Sequence, residues 1–257
     1  MDMNQTLITI GTTIATTLAA KGIEAPGKTL GNLWDIAIGN KVAAAYEKSK
    51  IKHTLDVEDF KNELINNISS IQKENLQDPK ISIVGPALEA SKYYFDEKEI
   101  RDMFANLIAS SIDSTYNGIV QHSFVEIIKQ LSPYDAKLFS KLDDKEAIVD
   151  IRIENEAAEG YTIFKNLFLT PLFLNYDKNL ISIDNLERLG LIKVQEDRWL
   201  IDNQHYDIFY NNPPYSQIKN ESFSFKNMPA EIIVKHKFLY LTSLGKAFKK
   251  VCIKDSL

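Results

Sequence analysis

Cysteine is almost missing from this chain. Cys252 is the only one in 257 residues, which excludes an internal disulfide framework and a thiolate metal cluster and fits a reducing, cytoplasmic setting. Histidine is scarce as well: His53, His122, His205 and His236 are far apart, and no HxH, HExxH or CxxC spacing occurs. The sequence therefore offers no metal ligands, no cofactor-binding residues and no catalytic constellation. A basic excess is also lacking. Lys and Arg number 30 against 35 Asp and Glu, a formal charge of -5, so no global field draws the chain to nucleic acid or anionic lipid. No internal repeat or low-complexity tract is present.

What is present is enough apolar material for a sizeable core, 44% of 257 residues, which suits one large domain or two small ones. The segment from Met3 to Ala20 carries no charge and is near the minimum for a bilayer span, roughly 18 residues. Six of its positions are threonine, however, and no Lys or Arg precedes the apolar run, so a secretory signal is not expected. Leu7, Ile10, Ile14 and Leu18 fall at helical spacing and predict one apolar stripe. With Trp34 on the next helix, that stripe packs inside, meets a partner, or touches a membrane; the residues leave all three open.

Helix signals dominate as far as Leu142. A break at Gly22 to Gly27 precedes a broadly apolar helix from Leu30 to about Lys50. A long amphipathic helix is predicted over Asp56–Leu76, with Val57, Phe60, Leu64, Ile68 and Ile71 on one face. Pro86 reads as a first-turn residue. Asp96 with Glu99, Ser123 with Glu126, and Ser132 with Asp135 read as capping pairs. Beyond Lys145 the pattern changes to β. Strands are predicted over Ala147–Ile153 and Ile232–Leu241, a hairpin turning at Glu196-Asp197, a short helix capped by Ser182 and closed by Gly190, and a last helix capped by Thr242. The fold class expected is mainly α with a smaller α+β part. N-terminal apolar and amphipathic helices would occupy residues 1–50, a central helical bundle 51–145, and a winged-helix-like domain 146–257.

The stretch IVGPALEASKYYFDEKEIRDMFANLIASSIDS and the later HSFVEIIKQLSPYDA resemble the abortive-infection-alpha family of bacterial and phage-encoded proteins. Pro26, Lys28, Leu30 and Gly31 are similar to that family's N-terminal extension, and DNLERLGLI and LTSLGKAF to its C-terminal half. The resemblance covers most of the chain and implies phage resistance by abortive infection. It brings no agreed catalytic residues.

Candidate contacts follow from these readings. If the winged helix binds DNA, Arg188, Lys193, Arg198, Lys246 and Lys249 are the cations to reach phosphates, although Asp184 and Glu187 on the same helix oppose approach to a polyanion. Lys250 and Lys254 add to the basic end of the chain. Arg198 and His205 match the Arg-to-His spacing of one class of helical RNA-cleaving toxins, but RWLIDNQH reads as strand and turn, where that motif needs a helix end. His122 lies near Glu126, a conceivable acid–base pair, with helix entry as the plainer role. The leading expectation is a cytoplasmic, non-enzymatic phage-defence protein that binds or senses a phage or host protein. A DNA-binding regulator and a membrane-perturbing effector, associated with the bilayer on activation, are the alternatives; a homo-oligomer is compatible with each.

Overall fold

A computed structural model describes residues 3–39 and 50–253, with side chains from residue 10 onward except at 39 and 50–54. The chain is mainly α with a smaller antiparallel sheet, in two compact units: Met1–Ala136 together with Ala247–Leu257, and Lys137–Lys246.

The first unit opens with α1 (Met3–Ala20) and α2 (Glu24–Trp34). Ile10, Ile14 and Leu18 are buried, as their spacing requires. Gly22, at φ +79°, ends α1: its N–H donates to Ala19 O and that of Ile23 to Leu18 O, so two orphan carbonyls are satisfied and Leu18 and Ile23 are buried together. The break predicted over Gly22 to Gly27 is shorter than expected, because Pro26 and Gly27 are already helical. Proline is tolerated there since first-turn N–H groups have no intrahelical partner. Gly31 lets the two helices touch. A Cβ on it would lie 2.6 Å from the carbonyl oxygen of Gly11. After Trp34 the helix widens into a π-helical turn, Asp35–Gly39; the predicted continuation through Val42 lies outside the described residues.

Asp35 stands at this crossing with its Oδ1 buried and without a hydrogen-bond partner among the described residues. Burial raises its carboxyl pKa. The folded chain therefore holds this proton more tightly than the unfolded chain, and the resulting stability is present at low pH and lost as pH rises through the raised value. Asp35→Asn should consequently be more stable than the wild type at pH 7 and converge on it towards pH 3, read as the difference between urea midpoints.

Helices α3 (Lys50–Ser69), α4 (Ile81–Ser91), α5 (Lys98–Ile112) and α6 (Ser123–Ile128) follow in this unit. Helix α3 ends earlier than the predicted Leu76, but Val57, Phe60, Leu64 and Ile68 are buried as the period demands. Trp34, Phe60 and Phe95 form a run of rings with centroids 5.8 and 5.4 Å apart. Pro86 lies in the interior of α4, which starts five residues earlier than the proline suggested, on the carbonyl of Lys80. Two capping predictions fail for one reason. Asp96 and Ser123 are each displaced by a residue from the position that caps α5 and α6, so Glu97 and His122 stand there without a side-chain bond. The third holds. Asp135 N–H donates to Ser132 Oγ at 3.1 Å and Ser132 N–H to Asp135 Oδ2 at 2.9 Å, opening α7 (Pro133–Lys141).

In the second unit the sheet order is β2-β1-β5-β3, with β4 also on β5, and every pairing is antiparallel. The strands are β1 (Lys145–Asn155), β2 (Gly160–Leu167), β3 (Ile192–Gln195), β4 (Phe223–Phe225) and β5 (Met228–Leu241). One face of β1, with Ala147, Val149 and Ile151, packs against Leu167, Leu169, Tyr206 and Phe209. Helix α8 (Tyr176–Arg188) is longer than predicted. Asn175 caps it through Lys178 N–H, and Ser182 is buried in its middle. Gly190 closes it at φ +73°, with bonds to Glu187 O and from Leu191 N–H to Leu186 O, as its position predicted. The hairpin at Glu196-Asp197 does not form. Strand β3 pairs with β5, and residues 198–201 are not a strand because Leu200 N–H is taken by the Tyr206 hydroxyl at 2.9 Å. Short helices α9 (Asp207–Asn211) and α10 (Tyr215–Ile218) precede β4. Helix α11 (Ser243–Cys252) starts as expected at Thr242, whose Oγ1 accepts from Gly245 N–H.

Candidate functional site

Buried polar side chains of α5 are spent on the chain's own backbone. Helix α5 is buried almost throughout, and its polar members Asn106 and Ser110 point at the end of α11. Asn106 Nδ2 donates to Cys252 O at 3.0 Å and Ser110 Oγ to Val251 O at 3.1 Å. The last carbonyls of a helix have no intrahelical partner, so these two side chains cap it from outside. Asn67 completes the chain of bonds by donating to Asn106 Oδ1 at 2.9 Å. Phe248 of α11 meets Phe124 edge-on, centroids 5.3 Å apart, and burial pushes the Cys252 thiol well above its ordinary pKa. Cys252 is thus an inert core residue. Arg101 is buried too. Its Nη1 donates to Phe95 O at 2.9 Å while Asp56 and Asp59 each lie 3.6 Å away.

The densest polar cluster of the second unit is built on the sheet. Lys237 of β5 is fully buried, opposite Ile148 of β1. Its ammonium has three donors and meets three acceptors: Asn166 Oδ1 at 2.6 Å, Asp150 Oδ1 at 2.7 Å and Glu196 Oε2 at 3.1 Å. Asp150 Oδ1 also accepts from Asn166 N–H at 2.8 Å, where β2 bulges and Asn166 adopts φ +56°. With every donor engaged, this lysine is an ion-pair lock joining β1, β2, β5 and the turn after β3.

Beside it on β5, His236 stacks on Tyr206 (centroids 3.9 Å apart, 3° between planes) and its Nε2 lies 3.0 Å from the Tyr210 hydroxyl. Burial lowers the His236 pKa and favours the neutral ring. Tyr206 hydroxyl donates to Lys237 O at 2.8 Å. The sequence shows no partner for His236 and no sign that Lys237 is buried; the alternation of β5 was the available signal, since adjacent residues of a strand face opposite sides of the sheet and the two cannot share one environment.

The sequence-predicted residues are dispersed. Arg188, Lys193 and Arg198 are exposed. Arg188 is bonded to Asn185 Oδ1 at 2.7 Å, and Lys246 pairs with Asp144 at 2.7 Å. Lys249 is half-buried, and Lys250 lies over the Tyr116 ring. Of the predicted partner or membrane contacts, Ile10, Ile14, Leu18 and Trp34 are all buried; the side chains of Leu7 and His53, and Lys254, lie outside the described residues. A membrane reading therefore needs α1 to leave its packing. No helix among the described residues is long and apolar enough to cross a membrane. His122 Nε2 lies 3.0 Å from Ser82 Oγ, while the Glu126 carboxylate is bonded to Lys129 at 2.8 Å. Arg198 sits in a loop and His205 in a short 3-10 turn, not at a helix end. Among the described residues no group of His, Cys, Asp and Glu could hold a metal ion.

Asn106 and Ser110 of α5 thus cap the end of α11, and Lys237 ties together the strands of the second unit. The chain belongs to the abortive infection alpha family, whose profile matches residues 52–252. No curated protein and no solved structure matches it.

Proposed function

We propose that this chain is a non-enzymatic, cytoplasmic abortive-infection protein of bacterial phage defence, which binds or senses a phage or host protein and thereby arrests the infected cell. Family membership supports the process. The observation that carries the binding reading is the use of Asn106, Ser110 and Arg101: these buried polar side chains of α5 bond to the chain's own backbone. Recognition would then fall to exposed surfaces. Phage plating on cells expressing the chain should drop while infected cells die early. Unchanged plating across a broad phage panel would overturn the proposal.

A DNA-binding reading draws on Lys193 and Arg198, exposed on β3 and the segment after it, with α8, β3, β5 and α11 taken as a winged-helix-like order. It is the weaker reading, because α8 presents Asp184 beside an Arg188 already bonded to Asn185. It requires a low-salt duplex shift that Lys193→Ala and Arg198→Ala weaken, and that falls with added salt.

A further inference from the structure

We propose that the open face of the sheet, where β1, β5 and β3 lie side by side, binds a single strand of RNA. Two bases stack on Phe238 and Tyr240, and Lys145 and Lys193 hold the flanking phosphates. This goes beyond the defence reading and does not depend on it. It also differs from the duplex reading, because unpaired bases are what the face holds.

Strand register brings these side chains together. Lys145 of β1 and Lys193 of β3 lie opposite Tyr240 of β5, one on each side, and Ala147 and Gln195 lie opposite Phe238. Opposed residues share a face and successive residues alternate, so these are two adjacent rows of one surface. The intervening Ile192, Val194, Leu239 and Leu241 take the other face and are buried. On the open face Lys145 and Lys193 are exposed, and Phe238 and Tyr240 are half-buried with ring centroids 6.3 Å apart. One row further along, Tyr206 stacks on His236 and closes the face. The platform is two rings long.

Its polar groups are uncommitted. Among the described residues neither Lys145 nor Lys193 has an ion-pair partner, whereas Lys165, Lys226 and Lys246 of the same unit meet Glu196, Glu159 and Asp144. The Tyr240 hydroxyl and the Gln195 amide likewise have no hydrogen-bond partner among the described residues. No acid occupies either row. Asp144 bonds to Lys246, and Glu187 accepts from Val194 N–H at the edge of β3. Glu146 and Glu196 are engaged on the reverse face, by Asp143 N–H and by Lys237. Asp143 falls before β1, and Asp197 after β3 beside Arg198.

These groups select the partner. Two cations with no acid between them call for an anion, and rings beside them call for a flat π surface; a nucleotide strand carries both. A duplex keeps its bases stacked inside, out of reach of the rings, so the strand is single. The 2′-hydroxyl is both donor and acceptor, as the free Gln195 amide and Tyr240 hydroxyl require, which selects RNA. Lys145 Nζ already lies 5.6 Å over the Phe238 ring, where a base would stack. A base arriving there displaces an exposed ammonium, which is then free to meet a phosphate.

Fluorescence anisotropy of a short labelled oligo(U) RNA, titrated with the full chain, tests this. Saturable binding at low salt is expected. Its log–log salt slope should be shallow, of magnitude about 1.4, or roughly 0.7 for each of two phosphates. Tyr240→Leu and Phe238→Leu keep apolar bulk but remove the π face, and each should weaken binding by about tenfold. Lys193→Gln should weaken it as well and lower the slope to about 0.7, a change that lost folding does not produce. Lys193 is exposed, so the urea midpoint of that variant should stay at the wild-type value. A matched DNA strand and an RNA duplex should bind more weakly, and polyglutamate should compete poorly. No binding of the RNA at low salt would overturn the inference. So would equal binding of the DNA strand or the duplex, or competition by polyglutamate as strong as by unlabelled RNA. Affinity that the ring and lysine variants leave unchanged would overturn it too.

Discussion

Lys237→Met should lower the unfolding free energy by about 3–5 kcal/mol, because it strands a buried carboxylate that three strands have been arranged around. Asp150 keeps only its bond from Asn166 N–H once the ammonium is gone, and Asn166 Oδ1 loses its donor. Urea unfolding monitored on the second unit reads the loss directly. The pair Lys237→Met with Asp150→Asn should recover most of it, since a neutral amide still accepts from Asn166 and no charge is left in the interior. Strong non-additivity between the two sites is the signature of a lock. If the single and double variants are equally unstable, the network contributes through packing alone.

Gly245→Ala should be, with Gly160→Ala, among the most damaging single-methyl changes in the second unit. A Cβ at Gly245 would lie 1.9 Å from the carbonyl oxygen of Leu191 and 2.9 Å from its carbon, so backbone, not a flexible side chain, must move. The same carbonyl accepts from Thr242 N–H at 3.1 Å, and Thr242 Oγ1 accepts from Gly245 N–H. Displacing Leu191 therefore disturbs the closing turn of α8 and the start of α11 together. Overpacking ordinarily costs about 1–3 kcal/mol, and a backbone collision at two atoms places this case at or above the upper end. Gly85, where a Cβ would meet nothing within 4 Å, is the control; Gly85→Ala should leave the thermal midpoint near the wild-type value or raise it.

The helical stripes were legible because burial imposes a period on neighbouring residues: Ile10, Ile14 and Leu18, or Val57, Phe60, Leu64 and Ile68, reveal themselves locally. Gly22 and Gly190 ended helices where a positive φ was wanted, although the break after Gly22 proved shorter than expected. Caps were harder. A serine one residue inside a helix looks like a serine at its cap, which is why Ser123 misled and Ser132 did not. The sheet was legible as strands but not as pairings, since β3 finds its partner across the whole insertion between Gln195 and Met228. Lys237 escaped notice for the same reason. Its acceptors lie on other strands and turns, and a lysine reads as solvated until they are known.

The caps that Asn106 and Ser110 place on Val251 and Cys252 have a bearing on biosynthesis. The first 136 residues belong to one compact unit whose closing helix is encoded on the far side of another. During translation, at roughly 5–20 residues per second, the sheet-bearing unit can fold on emerging, while the helical unit waits for the carbonyls that Asn106 Nδ2 and Ser110 Oγ cap. Maturation of the helical unit is thus ordered by the ribosome: it comes after synthesis of its neighbour.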